Sequence, residues 1–139
     1  MLRGIFALCA GLFAAMVVYT ISAAVAMKLY PPTGVDMKDS AQIAAFVAAL
    51  PTGARLTLLC GPMLGAFVGA GVGARLAAPA AQQTFVASLL GALVAANTAN
   101  DWLHVGHPRW MLVSGVLLSL LAALFATLLV RRASPAPGK

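Results

Sequence analysis

Five residues in one short stretch, Asn97, Asn100, Asp101, His104 and His107, hold most of the polar chemistry this chain offers inside its apolar segments. On a helix that continues to His104, the residues Asn97, Asp101 and His104 fall at i, i+4 and i+7 and share one face. A carboxylate beside an imidazole is the unit from which proton relays are made, and ionisable groups within membrane segments are functional candidates by default. Asp101 and His104 lie one turn apart, with His107 following, and could also ligate a divalent metal, although the spacing matches no strong metal signature. The competing expectation is structural. Asn and Asp at a helix end satisfy free backbone groups, Trp102 anchors at the lipid headgroups, and Arg109 could pair with Asp101, an exposed pair worth under about 1 kcal/mol. This second reading takes precedence, so neither a metal nor another cofactor is expected.

The chain that must position these groups has 139 residues, 62% of them hydrophobic and 9% charged. Soluble domains are nearer half apolar and a quarter charged, so a soluble globular fold is excluded. Nine Lys or Arg face three acids (Asp36, Asp39 and Asp101) and no Glu, giving a net charge of +6. The basic residues are scattered singly and form no stripe that would track a phosphate backbone, so nucleic acid is not a partner. Cys9 and Cys60 sit in apolar runs without a CxxC pair and read as buried free thiols. Neither GxSxG nor HExxH occurs, so the chain is not expected to be an enzyme. Its length and span count resemble small multidrug-resistance exporters, but those depend on a glutamate in the first span that this chain lacks.

A spanning helix needs about 20 mostly apolar residues. Four segments meet that need, over residues 4–27, 56–74, 82–103 and 109–130. Tyr30-Pro31-Pro32 stops the first, Arg55 and Arg75 flank the second, and His107-Pro108 leads into the last, which Arg131-Arg132 closes. The first run is longer than a signal-peptide core and is read as a retained span. Between the first two spans, Asp39 and Gln42 have capping-box spacing, and Ile43, Phe46, Val47 and Leu50 follow at helical period before Pro51. This predicts a short amphipathic helix over residues 40–50, too short to span, whose alanine-rich outer face favours docking against protein over lying free on lipid. The Pro- and Ser-containing tail, residues 133–139, is expected to be disordered. The expected architecture is therefore all-α: a single transmembrane domain over residues 1–132, an integral membrane four-helix bundle with a short amphipathic helix in its first outer loop. Its expected setting is the bacterial inner membrane with both termini cytoplasmic, since Arg3, Arg75, Arg131, Arg132 and Lys139 then lie inside.

Gly61, Gly65, Gly69 and Gly73 recur every four residues within the second span. Such a glycine zipper removes side chains along one stripe and lets another helix approach closely, a principal source of helix association in lipid. Smaller versions run through the other spans: Ala7, Gly11 and Ala15; Ala87, Gly91, Ala95 and Ala99; Gly115, Ser119, Ala123 and Thr127. Packing within the chain is the first expectation for these ridges, and self-association or docking of a second membrane protein the alternative. Pro62, near the outer end of the second span, either kinks that helix or marks its first turn.

Tyr30-Pro31-Pro32 followed by Gly34 and Asp36, Leu50-Pro51, Gly65-Ala66-Phe67-Val68-Gly69, and His107-Pro108-Arg109-Trp110 together cover most of the chain. The pattern resembles that of uncharacterised small four-span bacterial integral membrane proteins. The resemblance implies the topology and no activity. The function expected is a structural or accessory one in the membrane, assembling through these small-residue ridges, with the bilayer and a homo-oligomer or membrane-protein partner as its contacts. A small transporter or channel gated by the Asp101 and His104 cluster is the alternative.

Overall fold

The structure is a computed structural model that describes residues 2–36, 38–77 and 79–133. Among these residues the chain is all-helical: α1 (Leu2–Leu29), α2 (Ser40–Ala49), α3 (Thr52–Leu76), α4 (Ala80–Val105) and α5 (Arg109–Ala133). Three of them, α1, α3 and α5, are long and apolar enough to cross a membrane. At 26 residues α4 is as long, about 39 Å at 1.5 Å per residue. Gln82 and Gln83 at one end, and Asn97, Asn100, Asp101 and His104 at the other, shorten its apolar stretch. Ala133, expected in the tail, is the last residue of α5; the remainder of that tail, residues 134–139, lies outside the described residues.

Close contacts fix the directions of the helices. Cβ atoms built on Gly73, Gly69, Gly65 and Gly61 would meet Ala7, Gly11, Ala15 and Ser22 in turn, so α1 and α3 run antiparallel. Arg3 Nε adds a 3.1 Å hydrogen bond to the Leu76 carbonyl at one end of that pair. Gly91 faces Ala123 and Gly115 faces Trp102, which sets α4 antiparallel to α5. Phe67 lies against Phe125 and Gly71 against Ala126, so α3 and α5 are parallel neighbours.

The centre belongs to α3, which touches α1, α4 and α5. Its composition follows from that position. The glycine ridge faces α1, and a second ridge one residue on, Pro62, Ala66, Ala70 and Ala74, is also buried. Ala70 and Ala74 pack with Ala87 of α4 and with Ala123, Ala126 and Val130 of α5. Leu90 is the large side chain that locks three helices together, its Cδ1 lying 2.5 Å from where a Cβ would stand on either Gly11 or Gly73. Every residue of the four small ridges is buried except Ala99, which is half-buried. Large apolar groups point outward instead, as with Phe13 at 71% and Phe125 at 57% exposure. Small inside and large outside is the arrangement that close packing in lipid favours. Polar groups in the core satisfy themselves along their own helix: the hydroxyls of Thr98, Ser119 and Thr127 each donate to the carbonyl four residues back, at 2.8 Å.

Two expectations are corrected here. Cys9 and Cys60 are free but exposed. Cys9 stands two residues, about 200° of helical turn, from the buried Ala7 and Gly11, and Cys60 shares an outward line with Leu56 and Leu64. Pro62 is buried well inside α3 rather than in its first turn, because the helix begins at Thr52.

The short helix α2 forms as its spacing predicts. Asp39 caps it, its Oδ1 accepting from the backbone of Ala41 at 2.9 Å and of Gln42 at 3.4 Å. Gln42 departs from the usual box: its Nε2 donates to Asp39 Oδ2 at 3.1 Å, and its Oε1 accepts from the Asp36 backbone at 3.0 Å. The Ala41 backbone, the Gln42 side chain and the Gln42 backbone hold the Asp39 carboxyl below the usual carboxylate range, so the cap survives mild acid and is lost only as pH falls through that lowered value. Val47 is buried, and α2 packs on α4.

Candidate functional site

The polar stretch of α4 ends in a chamber. It lies where the C-terminal half of α1, α2, the start of α3 and the end of α4 come together, a half-open recess of about 240 Å³. Its walls are apolar and aromatic, with Tyr30, Phe46 and Trp102 among them, and its polar groups are Tyr19, Asp101 and His107. Arg55 braces the junction of α2 and α3, its Nη2 donating to the Ala48 carbonyl at 2.6 Å.

Asp101 is half-buried at the chamber wall. Its Oδ2 accepts from Asn97 Nδ2 at 3.1 Å, one turn away on α4, and from Tyr19 Oη at 3.5 Å across on α1. The second is long for an O–H···O bond and contributes little. Among the described residues Oδ1 has no hydrogen-bond partner and no cation pairs with the carboxylate. The expected Arg109 pairing with Asp101 is therefore not formed. Asn97 and Asp101 share a face as expected and bond to each other, but His104 bonds to neither. Its ring is exposed, and Nδ1 lies 2.7 Å from the Asn100 carbonyl, so that nitrogen carries the proton and donates. Asn100 contributes through its backbone, its own side chain being exposed.

His107 takes the place expected for His104. Gly106 ends α4 in the left-handed region at φ +75°, a conformation open to glycine at little cost, and the chain doubles back. The His107 backbone then donates to the Trp102 carbonyl at 3.1 Å. The imidazole stacks on the Trp102 ring, with centroids 5.1 Å apart and planes 12° from parallel. Its Nδ1 is buried without a partner. Trp102 is not the expected headgroup anchor: it is 5% exposed and packs with Leu59 of α3 and Met111 of α5, whereas Trp110 is 45% exposed. Among the described residues no group of three His, Cys, Asp or Glu is placed to hold a metal.

Burial pushes the His107 imidazole below its ordinary value of 6.5. The unfolded chain then takes up the proton first as pH falls. The fold should lose stability from about pH 6.5 downward until the lowered folded value is passed, and change no further on this account. His107→Phe keeps a ring against Trp102 and removes the titration. Melting curves in detergent between pH 8 and pH 5 should slope downward for the native chain and be flatter for that variant; equal slopes would show that His107 does not couple to folding.

No family model, curated protein or solved structure matches this chain.

Proposed function

We propose that this chain is a four-span integral membrane protein of structural or accessory, non-enzymatic role, residing in the bacterial inner membrane with both termini cytoplasmic. The observation that carries the topology is the parallel packing of α3 and α5. If both cross the bilayer in one direction, the chain between them must cross back. The antiparallel α4, about 39 Å long, is the only helix between them. Its polar residues then sit near the two faces of the membrane, where Gln and Asn are tolerated. The orientation rests on five Lys or Arg on the side of the termini against four on the other.

The accessory role is supported by the wide apolar faces of α1 and α5. The small-residue ridges act within the chain, α1 covering the glycines of α3, so a partner would bind through the outer faces of α1 and α5.

Two measurements test this reading. In a background with Cys9 and Cys60 replaced by Ser, single cysteines at Thr33 and Arg109 should label from one side of the membrane and one at Pro79 from the other; Pro79 and Arg109 labelling together would overturn the four-span reading. Native mass spectrometry after mild isolation from its own membranes should show a defined oligomer or a second polypeptide, and a bare monomer would overturn the accessory role. The second reading, a small transporter, is favoured by Asp101 lining the chamber. It predicts pH-dependent flux in proteoliposomes that Asp101→Asn abolishes.

A further inference from the structure

The chamber pairs an apolar wall with one uncompensated carboxylate. A carboxylate at the edge of an apolar wall attracts a cation more strongly than one in open water does. Asp101 is half-buried at the wall, and among the described residues its Oδ1 has no hydrogen-bond partner and no Lys or Arg pairs with the carboxylate. The one basic group on the chamber wall, His107, is held neutral near pH 7 by its own burial and does not compensate it. Tyr19, Tyr30, Phe46 and Trp102 line the same space. Aromatic faces attract cations, organic ammonium groups above all, and do so more strongly where water is excluded.

We propose that this chamber binds a small lipophilic organic monocation, an amine or quaternary ammonium, with its charge near Asp101 and its apolar body among Ile43, Phe46, Val47 and Leu58. An anion would be repelled by the carboxylate, and a neutral apolar molecule would gain nothing from it. A divalent metal would find too few ligands among the described residues. The volume of about 240 Å³ equals that of roughly eight waters at about 30 Å³ each. That is room for a compact ion such as benzyltrimethylammonium. The inference extends the accessory reading by giving the protein a ligand, and it holds whichever partner that reading requires.

The test uses the purified full chain in nanodiscs with Trp110→Phe, which leaves Trp102 as the fluorophore on the chamber wall. Benzyltrimethylammonium should change the Trp102 emission saturably, and its neutral isostere neopentylbenzene should bind about tenfold more weakly, a difference of roughly 1.4 kcal/mol. Asp101→Asn should bring the cation down to the affinity of the neutral compound. Ala23→Phe, which fills the chamber without altering its charge, should abolish both responses, with circular dichroism confirming the helices. Equal binding of cation and isostere, a cation affinity unchanged by Asp101→Asn, or no saturable response would each overturn the proposal. If Asp101→Asn does not fold, the comparison of the two probes on the native chain decides alone. Because the readout needs no partner, its failure is separate from that of the accessory role.

Discussion

Gly69→Leu is expected to separate α1 from α3 and to cost at least about 3 kcal/mol, the upper end of what overpacking a tight interior usually costs. Even the first carbon is too much. A Cβ on Gly69 would stand 2.7 Å from the Gly11 carbonyl oxygen and 2.8 Å from Ala15 Cβ, and the former is backbone that cannot swing aside. Alanine alone should therefore destabilise here, by about 1–3 kcal/mol. The loss should shrink along the ridge, since a Cβ on Gly65 would be 3.1 Å from the Ala15 oxygen and one on Gly61 3.3 Å from Ser22 Cβ. Gly71 is the control. Its nearest neighbour is Ala126 Cβ at 3.9 Å, ordinary contact distance, so Gly71→Ala should be neutral or stabilising, helped by the up to about 1 kcal/mol that alanine gains over glycine in a helix interior. Thermal unfolding in one detergent would measure all four alanine variants. The order Gly69, Gly65, Gly61, Gly71, from most to least destabilised, identifies an intrachain ridge. If the variants instead changed the mass of an oligomer and left monomer stability alone, the ridge would serve association between chains.

That ridge was legible in the sequence because four glycines at one spacing in an apolar run are rare. Its neighbour was not. Ala70 and Ala74 pack against α4 and α5 and Ala66 is buried on the same line, yet in an alanine-rich chain three alanines at that spacing are background. What marks them is adjacency: two small ridges one residue apart make a helix that can be approached from two sides, which is what a central helix needs. The lengths and limits of the helices were also legible, since Pro31, Pro32, Pro51 and Pro79 stop or start them on local chemistry.

The polar cluster was harder to read. Helical spacing placed His104 beside Asp101, but spacing sets the face and not the side-chain direction, and the ring is exposed and bonded to the Asn100 carbonyl one turn back on its own helix instead. His107 reaches the chamber because Gly106 reverses the chain. A glycine directly after an apolar helix was the available signal for that reversal. Nothing local signals the chamber itself. Tyr19, Phe46 and Asp101 come from three helices, and their convergence depends on how α1, α2 and α4 pack.

Trp102 holds that convergence together, and Trp102→Ala should cost about 3–5 kcal/mol, the range for removing a buried Trp or Phe. The indole fits because α5 presents no side chain opposite it: a Cβ on Gly115 would fall 2.6 Å from Cζ3. Gly115 and Trp102 thus form a slot and its filling, with Leu59 and Met111 closing the sides. Emptying the slot leaves three helices without their common contact at this end, and the residual space cannot collapse because Gly115 has nothing to offer it. The effect should reach His107, whose stacked face would become exposed. Water would then solvate the imidazolium, the folded value would rise toward the ordinary one, and the acid slope in stability expected for the native chain would flatten. Trp102→Phe should recover part of the stability and part of the slope together. The two readouts are linked through one ring, so a Trp102→Ala variant that lost stability but kept the full acid slope would show that His107 owes its burial to other neighbours.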